Sequence, residues 1–457
     1  MNKRRSFLKN ATILSAGLVL APSLATKSLA KGKKQPKKIG IIGAGFSGLA
    51  AAYSLQQEGY DVTVLEYANK VGGRVFSHKV AHDHVVEFGA EWIGASHERV
   101  IALCKQFNLP LDNNQFNTHL IYKGEYFADG AWDFSTTWKA QLQKWIDAYP
   151  NMTKKERLAL DQYDWWRFLI NNGCDERDLD ITELIDSTDF GESIRHVSAY
   201  TGLAQQSESS PKNEMDFKIK GGNSRLAESL QQAVGASNIK LKHGVVEIEQ
   251  RSKVKVTCAN GSIFEFDQII CALPTYALSK IKWTPALPES KHLAIKELQY
   301  ARINKHVVVF QDRFWKEESF DMVTDECPHY FYHGTKNQPG KSGVLISYTI
   351  GDKAAIFGNR SKEAARMDIC NTLTPHFGEI NSKIVEQQNF YWGNDQHSKG
   401  AYAMYAKDQW FSLKPILAEK FKNTHFAGEH IADWQGFMEG AIVSGENAAA
   451  AIHKMYS

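Results

Sequence analysis

The chain has 457 residues, 43% hydrophobic and 23% charged, with 54 basic and 51 acidic side chains. That length supplies two or three hydrophobic cores, and the composition excludes a disordered or fibrous chain. The near balance of charge excludes the broad basic surface that nucleic-acid binding needs.

Residues 1–30 read as an export signal, with a basic start, "NKRRSFLK", and an uncharged, mostly apolar run from Ala11 to Ala25. The run is shorter than the roughly 20 apolar residues of a membrane span, so no stable span is expected after the signal is removed. Arg4 and Arg5, followed by Ser6, Phe7, Leu8 and Lys9, resemble the bacterial twin-arginine signal, which implies export of a folded protein to the periplasm or beyond. "SLA" ending at Ala30 and "SLA" ending at Ala25 both suit cleavage. Loss of residues 1–30 removes five bases and no acid, leaving 49 bases against 51 acids. The run 31–38, "KGKKQPKK", then reads as a solvated basic leader. Six cysteines are scattered without a Cys-x-x-Cys pair, so neither a zinc site nor a dense disulfide framework is expected, and one bridge stays open.

Ile39–Ile42 is a β-branched run suited to a buried parallel strand. Gly43, Ala44, Gly45, Ser47 and Gly48 lie in a Gly-x-Gly-x-x-Gly turn, and a helix continues through Leu55. These glycines permit a tight turn, close approach of a diphosphate and close helix–strand packing. The diphosphate meets free N–H groups and the positive helix end. A second strand, "DVTVLE", ends in Glu66, 18 residues past Gly48, where a carboxylate holds the adenosine ribose hydroxyls. "GGR" at Gly72, Gly73 and Arg74 adds a planar cationic fork for a diphosphate. His78, His82 and His84 have a metal-like spacing, but the segment reads as a hairpin without a nearby cysteine pair, so no metal is expected.

Several motifs follow in order. They are "VVEFGAEWIG" (Val85–Gly94), "IKGGNSRLAESL" (Ile219–Leu230), the alternating strands from "HGVVEIEQ" to "IICALP", "LQYARINKHVVVFQDRFW" with Lys305, "SKGAYAMYA" (Ser398–Ala406) and "FAGEHIADWQGFMEGAIVSGENAAAAI" (Phe426–Ile452). Together with the glycine turn they resemble the flavin-containing amine oxidase family, which includes monoamine, polyamine and L-amino acid oxidases. The resemblance spans about 36–457 and is weak from 115 to 210.

The resemblance implies an α/β fold: an FAD-binding, Rossmann-like domain of glutathione-reductase type, interleaved with an α+β substrate-binding domain. The FAD domain is expected from 36–114, 215–285 and 390–457, and the substrate domain from 115–214 and 286–389. It further implies FAD contacts from the glycine turn, Glu66, Gly73, Arg74, Gly89, Ala90, Glu91 and Trp92. The Val245 backbone would meet the adenine, Gly428 and Glu429 the ribityl or pyrophosphate region, and the Met438 N–H the flavin at a helix N-terminus.

Tyr402 and Phe437 would flank the amine, with Trp434 as a further wall, and Lys305 would hold a water against flavin N5 and assist the reaction with O2. Ala401 stands where covalent relatives have cysteine, which implies noncovalent FAD. Trp92 stands where snake-venom-type L-amino acid oxidases carry an arginine for the substrate carboxylate; an amino-acid substrate needs another cation, with Arg99 and Arg302 as options. The expected reaction oxidises an amine or L-amino acid with O2 as acceptor. A flavin dehydrogenase or desaturase with another acceptor, and a non-catalytic FAD-binding partner protein, stay open beside it.

Overall fold

Alternation of β-branched runs with small-residue helices builds a parallel sheet, because each strand buries both faces. The computed structural model describes residues 36–211 and 214–457; the expected signal and most of the basic leader lie outside them. The strand Lys38–Ile42 is central, with Asp61–Leu65 and Gln268–Cys271 on either side, and Ile239–Lys240 and Thr424–Phe426 at the edges. All four pairings are parallel, with Ile41 opposite both Val64 and Ile270. The helix Phe46–Gln57 covers this sheet, and the C-terminal helix Met438–Tyr456 lies against it. Small residues permit the approach: a Cβ on Gly445 would stand 2.0 Å from the Ser47 carbonyl oxygen. Ile39, Ile41, Leu49, Val64, Ile270 and Ile442 fill the core between these layers.

A second, seven-stranded sheet has the order Ile384–Tyr391, Ile303–Phe310, Gly343–Ile350, Tyr330–His333, Phe320–Thr324, Asn117–Tyr122, Glu125–Phe127. Ile303–Phe310 is buried throughout, although "INKHVVVF" places three polar residues, Asn304, Lys305 and His306, in succession before its apolar half. Val308 and Phe310 face Phe357 and Ile369 of the covering helices. Ile303, Val307 and Val309 face the other way, as Lys305 must by the period of two. Directly opposed residues Phe390, Lys305, Tyr348, Tyr330 and Val323 form one row across five strands.

Helices between residues 136 and 208 bury Trp138 and Trp165, and the Trp165 indole donates to Asp186 at 2.7 Å. The histidine segment is a hairpin, Ser77–Lys79 against Val85–Glu87, with His84 bonded to Ser342 at 2.8 Å. Among the described residues no helix is long and apolar enough to cross a membrane, and no group of three or more His, Cys, Asp or Glu is arranged to hold a metal. All six cysteines are free thiols.

Candidate active site

Between the two sheets lies a cavity bordered at one end by Gly45 and Ser47 and at the other by Tyr330, Tyr348 and Tyr402. The glycine turn forms the first end. A Cβ on Gly48 would stand 1.9 Å from the Gly43 carbonyl oxygen, so helix and strand pack there without a side chain. A Cβ on Gly45 would meet nothing within 4 Å: its open side is space for a ligand. Gly45 is also the helix N-cap and carries no side-chain cap, which leaves the first N–H groups to a bound anion. Glu66 is 5% exposed and accepts the Ala44 N–H at 2.6 Å and the Ala68 N–H at 2.9 Å. Burial raises its pKa, against the lowering effect of those bonds.

The "GGR" loop docks on this turn through the Gly72 N–H and the Ala44 carbonyl at 2.9 Å. Arg74 then reaches the cavity and pairs with Glu429 at 2.8 Å. Glu429 also accepts the Ala403 N–H at 3.2 Å and the Gly436 N–H at 2.9 Å. One buried carboxylate thus ties Arg74 to the chain beside Tyr402 and to the turn before the C-terminal helix. The sequence reading missed this joining role: Glu429 lines the cavity while its carboxylate holds protein groups.

The C-terminal helix starts at Met438, which borders the cavity, and its N-cap Phe437 offers no side-chain cap. Phe437 is braced edge-on by the His97 ring at 5.0 Å. Burial pushes the His97 pKa down to about 3, so the ring is neutral. Trp434, expected as a cavity wall, packs edge-on against both His97, at 5.0 Å, and Phe437, at 5.7 Å, and borders a separate pocket with His425 and Ile431. Of Trp434, Phe437 and Met438, Phe437 and Met438 border the main cavity.

Lys305 is 4% exposed and donates to the Glu87 carbonyl at 3.1 Å, the Gly89 carbonyl at 2.8 Å and the Glu91 carboxylate at 3.2 Å. Glu91 also accepts the Tyr332 hydroxyl at 2.5 Å. Nearby, burial and then Glu91 push the Glu87 carboxyl up to about 7. Lys305, Gly89, Ala90, Glu91 and Trp92 all border the cavity, as do Gly428 and Ala401. Trp92 is held by Tyr332, with ring centres 5.0 Å apart.

Val245 opens a strand opposite Cys258 and is not among the cavity-lining residues; Glu66 and Gly73 also stand outside that lining. Arg99 and Arg302, the optional carboxylate partners, do not border the cavity either. Arg99 bonds Glu446 at 2.7 Å, and Arg302 bonds Glu192 and Asp352. The sequence reading did not single out Thr188, Asp189, Tyr330, Tyr348 and Trp392, which line the substrate end. Strand pairing brings Tyr348 and Tyr330 into the row of Lys305, and helix and loop segments bring in Thr188, Asp189 and Trp392.

Two uncapped helix N-termini, a glycine turn open to the cavity and a cationic fork fit a dinucleotide flavin, and they define a dinucleotide-dependent oxidoreductase. Residues 46–453 match the family profile "Flavin containing amine oxidoreductase", and the chain belongs to that family and binds FAD. It is 24% identical over 460 residues to amine oxidase [flavin-containing] B of Homo sapiens, covering 90% of this chain and 85% of that protein. It is 25% identical over 454 residues to the L-amino-acid oxidase of Crotalus adamanteus, covering 92% and 87%. The fold is similar to that of a putrescine oxidase bound to putrescine, with TM-score 0.82, 22% identity and coverage of 92% of this chain and 99% of that one. Cyclohexylamine oxidase from Brevibacterium oxydans gives TM-score 0.82 at 21% identity, with the same coverage.

Proposed function

We propose that this protein is an FAD-dependent amine oxidase whose substrate lacks a carboxylate on the reacting carbon. The observation that carries this reading is the charge arrangement of the cavity: its two cationic side chains, Arg74 and Lys305, are each paired, with Glu429 and Glu91. A substrate carboxylate there would have to displace one of those partners, at the cost of breaking a buried ion pair.

In the overall reaction an amine and O2 give an imine and H2O2, and water hydrolyses the imine to a carbonyl compound and ammonia. FAD supplies the two-electron acceptor for the hydride and returns the electron pair to O2. The chain's own residues position and dry the substrate. Tyr402 and Phe437 present aromatic faces on either side of the amine. Burial, with Tyr348 and Asp189, holds the Tyr402 phenol well above its usual pKa, and burial lowers His430 to about 4; the first stays protonated and the second neutral.

The Met438 helix end would stabilise negative charge on the bound cofactor, and Arg74 would help hold its diphosphate. Glu66 and the Val245 backbone serve the adenosine end in the same proposal. Lys305 supports the reaction with O2, FAD is held noncovalently, and the chain divides into the two interleaved parts of the sequence reading. Export by the twin-arginine route to the periplasm or beyond belongs to this proposal too. Peroxide release from the purified holoprotein, measured under air with a panel of amines and L-amino acids, tests it. Peroxide from amines supports the reading; turnover restricted to amino acids, or turnover without peroxide, counts against it.

A further inference from the structure

A lysine ammonium carries three N–H donors, and Lys305 gives all three to the protein. Its Nζ reaches the Glu87 carbonyl at 3.1 Å, the Gly89 carbonyl at 2.8 Å and Glu91 Oε2 at 3.2 Å, with the ring centres of Tyr332 and Tyr348 at 5.7 and 5.9 Å. An ammonium saturated in this way has no proton left for a water. Lys305 therefore acts on bound FAD through its charge rather than as a donor.

Glu91 is built into the same wall. The buried Asn223 donates its Nδ2 to the Ala90 carbonyl at 3.0 Å and to the Glu91 carbonyl at 2.9 Å, which fixes the backbone there. The Tyr332 hydroxyl donates at 2.5 Å to Glu91 Oε2, the atom that meets Lys305. Glu91 and Lys305 are 2% and 4% exposed, and both border the cavity. The Glu87 carboxylate is engaged by the Ser77 hydroxyl and the Asn223 N–H, each at 2.8 Å, and what it gives Lys305 is a main-chain carbonyl. Glu91 is thus the carboxylate paired with Lys305, and at 3.2 Å it cancels most of the ammonium field at the distance of a neighbouring ligand.

Reduction of FAD by two electrons and one proton leaves one added negative charge on the flavin, and positive charge beside it stabilises that state. We propose that Glu91 is a redox-tuning residue: by neutralising Lys305 it holds the flavin at a lower reduction potential than the lysine alone would set. The lower potential reduces the driving force of the step that takes electrons from the amine and adds it to the step that passes them on. This inference rests on the amine oxidase reading, in which Lys305 serves the reacting end of FAD.

Midpoint potentials of the FAD-loaded full chain, measured by reductive titration against a reference dye, test the proposal without any amine. Glu91→Gln should shift the equilibrium roughly tenfold toward reduced FAD, a rise of about 30 mV for a two-electron couple. Lys305→Met should lower the potential by a similar amount, and the double variant should return close to the parent, because its net charge at the pair is again zero. Tyr332→Phe removes a hydrogen bond but no charge and should stay near the parent; FAD content per chain reports that each variant folds. An unchanged or lower potential in Glu91→Gln, a double variant that stays with Lys305→Met, or a shift in Tyr332→Phe as large as that of Glu91→Gln overturns the tuning role and leaves the amine oxidase reading standing. Potentials in the expected order, with a flavin that no amine reduces, support the tuning and overturn that reading.

Discussion

Replacing Lys305 with methionine removes an ammonium that three buried acceptors share. The side chain keeps its length, but the Glu91 carboxylate, 2% exposed, loses its cation, and the carbonyls of Glu87 and Gly89 lose a donor. Breaking one partner of a buried ion pair costs about 3–5 kcal/mol. The freed carbonyls contribute to the same figure rather than adding fully to it, because neighbouring groups are not additive.

Glu91→Gln removes the uncompensated charge while keeping an acceptor for the Tyr332 hydroxyl, so the double variant should recover at least about 1 kcal/mol relative to the sum of the single changes. Urea denaturation of the four proteins of this cycle, followed by flavin and tryptophan fluorescence, measures the coupling. In stopped-flow mixing of reduced enzyme with O2, Lys305→Met should slow reoxidation roughly a hundredfold, the usual loss of one placed charge-stabilising donor. FAD content per chain should change little. A Lys305→Met protein as stable as the parent, with no coupling to Glu91, would refute the buried pair. Unchanged reoxidation would refute the role with O2.

Gly45→Ala should fold and lose FAD affinity, because its new methyl group enters open cavity space. Gly48→Ala should lose the fold as well, because its Cβ meets a backbone oxygen; circular dichroism and flavin content separate the two. Acid denaturation should release FAD into the supernatant, and flavin remaining on the precipitated chain would contradict noncovalent binding. Burial is the first cause that pushes Glu87, Asp186, Asp321 and Glu439 up to about 7. Across this window the folded state retains protons that the unfolded chain has lost, so their stabilising contribution is full below about pH 4 and is lost as pH rises through about 7. Buried His97, His329, His333, His425 and His430, lowered by burial to about 3 or 4, act in the opposite sense, so the test is the difference between the parent and Asp186→Asn. The parent's thermal midpoint relative to the variant's should fall from pH 5 to pH 8, and a difference that does not change with pH would contradict the assignment.

The cofactor end was legible in the sequence because local geometry dictates it: Gly43–Gly48, Glu66 and Arg74 lie within two strands, a helix and a turn. Lys305 and Met438 were legible as points on a strand and at a helix start. Trp434 lies edge-on against His97 and Phe437 and borders the neighbouring pocket rather than the main cavity, a placement that spacing alone does not report. Asp189, Tyr330 and Tyr348 were missed for a different reason: a helix end and two strands from distant segments bring them together. Neutralisation of Arg99 and Arg302 by Glu446 and by Glu192 with Asp352 was likewise a matter of tertiary contact.

Anaerobic bleaching of the bound flavin tests the central claim most directly, because it reports cofactor, hydride transfer and substrate class without dependence on O2. The purified holoprotein is mixed with amines and L-amino acids in turn, and the oxidised flavin band is followed. The account predicts that amines without a neighbouring carboxylate bleach the flavin and that L-amino acids do so far more slowly. Bleaching by L-amino acids alone would contradict the charge argument, and a flavin that no amine reduces would contradict amine oxidation itself.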